Sequence, residues 1–71
     1  MGYLDEDYYI ELRKLKGERA EGKVLTDQDF LDSAKRVYYS HKRFFVKPVT
    51  PKEEEEMIQT NVRILKDLIR Y

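Results

Sequence analysis

The chain has 71 residues, with 14 lysines and arginines against 14 aspartates and glutamates, one histidine and no cysteine. A chain of this length forms one domain at most, and the lack of cysteine excludes disulfides and thiolate metal sites as sources of stability. Charged residues make up 39% of the chain but hydrophobic residues make up 41%, which is more apolar material than a disordered segment carries. We therefore expect one folded domain spanning residues 1–71.

The apolar residues are spread along the chain in short runs. No run exceeds three residues, whereas a membrane-spanning helix needs about 20. The sequence also carries no signal-peptide pattern. We expect a soluble, cytoplasmic protein without a membrane partner.

The first helix is predicted over residues 4–20. Its apolar face consists of four residues at helical spacing, Leu4, Tyr8, Leu12 and Leu15. Two glycines offer alternative ends, because glycine is the residue that most often terminates a helix: Gly17, or Gly22 after a frayed turn.

The second helix is predicted over residues 27–45. Thr26 is placed to accept a hydrogen bond from the backbone of Asp29, which is the pattern of a capping box. The apolar face consists of Phe30, Ala34, Val37, His41 and Phe44, with Leu31, Tyr38 and Phe45 beside it. Pro48 and Pro51 prevent the helix from continuing into the third one.

The third helix is predicted over residues 51–70. Thr50 caps it, Pro51 takes the first helical position and Glu53 completes a second capping box. This helix has two apolar rows, one of Met57, Asn61, Ile64, Leu68 and Tyr71, and one of Ile58, Val62, Leu65 and Ile69. Two rows require two apolar neighbours.

The fold class that buries all of these apolar faces is all-α, an up-down-up antiparallel three-helix bundle. One alternative is a short two-stranded ribbon between residues 23–25 (Lys23 to Leu25) and 44–49 (Phe44 to Val49), since valine and phenylalanine favour strands. A second alternative is a homodimer through helix 3, in which another copy supplies the second neighbour. Asn61, a polar residue in an apolar row, would mark such a dimer or a partly exposed edge.

No catalytic motif is apparent. Ser40 directly precedes His41, so on a helix the two side chains diverge by about 100° and do not form a nucleophile–base pair. With one histidine and no cysteine, any metal site would be built from carboxylates alone, and the three isolated glycines form no phosphate-binding loop. We expect no enzyme activity, no cofactor and no metal. His41 is interpreted as a core or rim residue near Glu54 or Glu55, with a pH-sensing or nucleic-acid role as the alternative.

A nucleic-acid site is one functional hypothesis. The stretch of residues 35–47 combines four aromatic residues with five cations and no acid; the cations are Lys35, Arg36, Lys42, Arg43 and Lys47. However, each helix is acidic at its start and basic towards its end. In an antiparallel bundle the basic end of helix 2 therefore lies beside acidic helix starts, which weakens its field.

Protein binding is the favoured hypothesis. Tyr3 and Ile10 lie off the apolar face of helix 1, and Tyr39 lies opposite the apolar face of helix 2. Exposed tyrosines are common at protein interfaces because they bury a large area with little loss of rotamer freedom. We expect a small regulator or adaptor, of the type found in phages or mobile elements, that binds another protein or itself.

Overall fold

Across residues 3–70 the fold consists of three helices: α1 (Tyr3–Ala20), α2 (Asp27–Lys42) and α3 (Pro51–Leu68). The computed structural model describes the backbone of residues 3–70 and the side chains of residues 6–70. No strand occurs in that part of the chain, so the all-helical class is confirmed and the ribbon between residues 23–25 and 44–49 is wrong. A ribbon needs a buried face, whereas Val24 and Val46 in these segments are 83% and 96% exposed.

Both predicted capping boxes are confirmed. Thr26 Oγ1 accepts a hydrogen bond from the Asp29 backbone N–H at 3.3 Å, and the Thr26 N–H donates to Asp29 Oδ2 at 2.8 Å. At α3 the Glu53 N–H donates to Thr50 Oγ1 at 3.2 Å, and Pro51 occupies the first turn. These local bonds satisfy backbone donors that lack a partner inside the helix, so they fix where α2 and α3 begin.

The end of α1 is set by Gly22 and not by Gly17, which stays within the helix. Gly22 has a φ of 99°, the left-handed region in which glycine alone is unstrained. Its N–H donates to the Arg19 carbonyl at 3.0 Å, and the Lys23 N–H donates to the Glu18 carbonyl at 3.1 Å. This pair of bonds is the Schellman motif that ends many helices.

The end of α2 differs from its prediction by three residues. The helix stops at Lys42, after which the Phe44 N–H donates to the His41 carbonyl at 2.9 Å and the Phe45 N–H to the Lys42 carbonyl at 3.0 Å. Such i→i+3 bonds tighten the chain and rotate the next side chains away from the helical direction. Phe44 is therefore 46% exposed and its assignment to the core is wrong, whereas Phe45 packs against the core beside Tyr38.

One apolar cluster joins the three helices. Its buried members are Leu12, Leu15, Phe30, Ala34, Tyr38, Ile58, Leu65 and Ile69. Every one of them belongs to an apolar face predicted from helical spacing. Met57, which the same spacing placed on an apolar row of α3, is 40% exposed, so its assignment to the core is wrong. Among the described members of this row only Met57 is exposed, since Asn61 is buried and Ile64 and Leu68 are partly buried.

Polar contacts connect the helices near their ends. Lys66 Nζ of α3 lies 3.0 Å from Asp27 Oδ1 at the start of α2. Arg19 Nη1, in the last turn of α1, donates to the carbonyl of Ile69 at 3.3 Å. The chain measures 41 × 26 × 16 Å along its principal axes. None of its helices, over the residues described, is both long and apolar enough to cross a bilayer.

Candidate functional site

Tyr39 lies on the outer face of α2, as predicted, with 53% of its surface exposed. Its ring meets the buried Tyr38 ring edge to face at a centroid distance of 5.2 Å. Lys42 Nζ lies 5.8 Å from the Tyr39 ring centroid, within the range of a cation–π contact. These two contacts fix the position of the Tyr39 ring, while its outer side remains accessible to solvent.

Ile10, the second predicted interface residue, lies on α1. It is 57% exposed and lines a groove of about 210 Å³ together with Arg36, Val37 and Ser40 of α2. Tyr39 is not among the residues that line this groove, but it follows Arg36 by three residues, so the two are neighbours on the surface of α2. Tyr3, the third predicted interface residue, has a side chain outside the described residues.

Two of the five basic candidates are engaged by acids of neighbouring helices. Arg36 Nε donates to Glu11 Oε1 at 2.9 Å, and Arg36 Nη2 donates to the buried Ser33 hydroxyl at 3.1 Å. Lys42 Nζ lies 3.6 Å from Glu54 Oε2. These cations therefore connect α2 to α1 and to α3, and part of their charge is neutralised within the chain.

The other three basic candidates behave differently. Lys35, Arg43 and Lys47 are exposed and form no ion pair with the acids of the described residues. The Arg43 guanidinium instead lies 4.9 Å from the Phe44 ring centroid. The basic stretch of residues 35–47 is thus divided into two structural cations and three that face solvent.

A polar cluster at the α1–α2 contact surrounds the carboxylate of Asp7. Ser40 Oγ donates to Asp7 Oδ2 at 3.1 Å. His41 Nε2 lies 2.9 Å from the same oxygen but is not aligned with it for a hydrogen bond. The carboxylate thus lies between hydroxyl and imidazole, whereas a nucleophilic relay places the imidazole between the other two groups.

The position of His41 corrects one prediction. It was expected near Glu54 or Glu55, but it is buried against α1, with its ring 5.9 Å from the Tyr8 ring in an edge-to-face arrangement. Tyr38 and Lys42 are the residues of α2 that reach Glu54, at 3.0 Å and 3.6 Å. His41 lies three positions after Tyr38, which rotates its side chain by about 300° and towards a different neighbour.

Asn61 was expected at a partly exposed edge or a dimer contact, but it is buried between all three helices. The Tyr8 hydroxyl of α1 donates to Asn61 Oδ1, and Asn61 Nδ2 donates to the Ala34 carbonyl of α2 at 3.4 Å. The amide is therefore used within the chain. A polar residue in an apolar row was the sequence signal for a special position, but it did not reveal these partners.

Shifted pKa values occur at helix contacts and caps. Burial, followed by the hydrogen bond to Glu54, raises the pKa of the Tyr38 hydroxyl. At the start of α2 the backbone N–H of Thr26 stabilises the Asp29 carboxylate and lowers its pKa. Both shifts arise from contacts that hold helices together or cap them, and neither group lines the groove beside Ile10.

The described residues contain no group of three or more acidic, histidine or cysteine side chains placed to hold a metal ion. The most accessible apolar side chains outside the predicted interface are Tyr9, Val24, Phe44, Val46 and Met57. Comparison of the chain with protein-family models, with curated proteins and with solved structures finds no match.

Proposed function

We propose that the protein is a non-enzymatic helical module that binds another protein through the outer side of α1 and α2, at Ile10, Tyr39 and Tyr3. The observation that carries the proposal is that Ile10, which is 57% exposed, lines a groove between α1 and α2, and that the exposed Tyr39 neighbours Arg36 of that groove on the surface of α2. Exposed apolar and aromatic side chains beside a groove are the usual anchors of protein interfaces. Tyr3 enters the proposal from the sequence alone.

The proposed arrangement of the helices is up-down-up. The contact of Asp7 with Ser40 supports opposite directions for α1 and α2, since it joins the start of one to the end of the other. The contact of Lys66 with Asp27 supports the same relation between α2 and α3. In this arrangement α1 and α2 are neighbours over their length, which provides a continuous surface around Ile10.

The charge pattern around the groove suits a protein partner. Arg36 on the α2 wall is paired with Glu11 of α1, and Asp7 on the α1 wall accepts a hydrogen bond from Ser40 of α2. Because these charged side chains already have partners within the chain, a bound protein that covers them leaves no charge unpaired. The burial of Ile10 against that protein is therefore not opposed by the cost of an unpaired charge. The groove is therefore suited to an apolar anchor from the partner.

A capture experiment tests this proposal. The wild-type protein and the variant Ile10→Ser/Tyr39→Ser are immobilised, and proteins retained from an extract of the source cells are quantified by mass spectrometry. We expect a partner that the variant loses at least about tenfold, because anchor residues commonly contribute more than 1 kcal/mol each. Tyr3→Ala extends the test to the residue placed by sequence alone.

The control variant is Tyr9→Ser/Val24→Ser, which removes two exposed apolar side chains away from the groove. It should retain the partner, and circular dichroism should give the same helicity for all variants. Equal retention by Ile10→Ser/Tyr39→Ser would refute the proposed surface. A loss of helicity in that variant would show instead that these residues support the fold.

Nucleic-acid binding is the second candidate function. The observation that favours it is the group Lys35, Arg43 and Lys47, which has no acidic partner within the described chain. Three phosphate contacts predict a slope of about −2 in log K against log salt for single-stranded DNA. Fluorescence anisotropy with a labelled oligonucleotide measures this slope.

The variants for this test are chosen by whether a basic side chain already forms an ion pair within the chain. Lys35→Gln/Arg43→Gln/Lys47→Gln should abolish binding at low salt, whereas Lys14→Gln, which removes an exposed charge on α1, should have little effect. Arg36 is left unchanged because its loss would strand Glu11 and disturb the α1–α2 contact. Absence of wild-type binding at low salt would eliminate this candidate.

A further inference from the structure

A second groove, of about 280 Å³, runs between α2 and α3. Three of the residues that line it are apolar: Leu31 of α2 is half-buried, Ile58 of α3 is buried and Pro51 at the start of α3 is exposed. Two further residues, Lys35 from α2 and Glu55 from α3, give its walls opposite charges. This groove is separate from the one that Ile10 lines.

Lys35 and Glu55 do not neutralise each other. Both side chains are exposed, and neither forms an ion pair or a hydrogen bond with the rest of the described chain. The neighbouring Glu54 is different, because it accepts from Tyr38 and pairs with Lys42. The groove therefore presents an unpaired cation on one helix and an unpaired carboxylate on the other, with apolar side chains beside them.

We propose that a second copy of this chain covers the α2–α3 groove about a two-fold axis. A surface with a cation on one side and an acid on the other is complementary to itself, because a two-fold rotation exchanges the two sides. Lys35 then pairs with the partner's Glu55, and Glu55 with the partner's Lys35. Leu31, Pro51 and Ile58 meet their counterparts near the axis and lose their remaining contact with water.

Two properties of the chain agree with this occupant. The net charge is zero, so two copies approach without overall repulsion. The residues concerned, Pro51, Glu55 and Ile58, follow one another at helical spacing and form a single stripe on α3. This stripe is not the row that contains Asn61, whose amide is used by Tyr8 and Ala34 within the chain.

Charge reversal tests the dimer. Sedimentation equilibrium of the full chain should give a monomer–dimer equilibrium for the wild type. Lys35→Glu and Glu55→Lys should each raise the dimer Kd at least about tenfold, because each places like charges opposite one another twice. The double variant Lys35→Glu/Glu55→Lys restores both pairs and should return the Kd to near the wild-type value. An equimolar mixture of the two single variants should form heterodimers.

The controls make the same charge changes outside the groove. Glu56→Lys alters the next residue of α3, which lines other surfaces, and Lys14→Glu alters an exposed residue of α1; both should dimerise like the wild type. A wild type that stays monomeric up to about 1 mM would overturn the proposal. Single variants that dimerise normally, or a double variant and a mixture that both fail to recover, would also overturn it. None of these results depends on the groove beside Ile10, so failure here leaves that proposal standing.

Discussion

Replacing Asn61 with alanine removes a side chain that hydrogen-bonds to both other helices. Two bonds are lost, one from the Tyr8 hydroxyl and one to the Ala34 carbonyl, and the site is buried. At about 0.5–1.5 kcal/mol for each bond, we expect the free energy of unfolding to fall by about 2 kcal/mol. In a domain of this size that corresponds to a melting temperature about 8–16 °C lower, measured by circular dichroism.

A double-mutant cycle with Tyr8→Phe isolates the contact between α1 and α3. Tyr8→Phe alone should lower the free energy of unfolding by about 1 kcal/mol, since it leaves the Asn61 oxygen without this donor. If the two side chains are coupled, the double variant should lower the free energy of unfolding by about 1 kcal/mol less than the sum of the two single effects. Additive losses of stability would refute the contact. Gln59→Ala, an exposed polar truncation on the same helix, should change stability by less than about 0.5 kcal/mol.

Three further predictions concern helix ends and ionisation. Thr26→Ala should lower the free energy of unfolding by about 1 kcal/mol in urea titrations, and an unchanged midpoint would contradict its capping role. Gly22→Ala should lower the free energy of unfolding by about 1 kcal/mol, because the φ of Gly22 is 99°. Gly17→Ala, inside α1 with open space around it, should raise the free energy of unfolding by about 0.5–1 kcal/mol. If both variants shifted the melting temperature in the same direction, that result would be inconsistent with the Schellman end. Because burial and the bond to Glu54 raise the pKa of Tyr38 above 10.0, the stability it contributes is fully present below pH 10 and is lost as the pH rises through the raised value. Melts between pH 8 and about 11.5 should therefore show a smaller alkaline loss for Tyr38→Phe than for the wild type, and identical slopes would refute this assignment.

The helix starts and the core could be predicted because their determinants are local. Thr26 and Thr50 each meet a partner three residues later, and the sequence contains both members of each pair. The buried faces follow from helical spacing, which does not depend on how the helices are packed. The end of α2 has no such local signal, since neither a glycine nor a proline follows Lys42 directly. The tight turn there removed Phe44 from the predicted core.

The partners of polar residues were beyond reach of the sequence for a different reason. The charge pattern indicated that the start of α1 and the end of α2 suit each other, but pairing Asp7 with Ser40 or Glu11 with Arg36 requires the register between two helices. Register depends on the packed side chains of both. For the same reason a polar residue at position 61 gave no sign that two other helices supply its partners.

The bond between Tyr8 and Asn61 joins residues that are 53 positions apart, which has a consequence during synthesis. The apolar face of α1 leaves the ribosome first, but the helix that completes its burial follows only after the rest of the chain has been made. At about 5–20 residues per second, 53 residues take about 3–10 s, during which Leu12 and Leu15 lack part of their final cover. Factors that bind nascent apolar segments have that interval in which to act on α1.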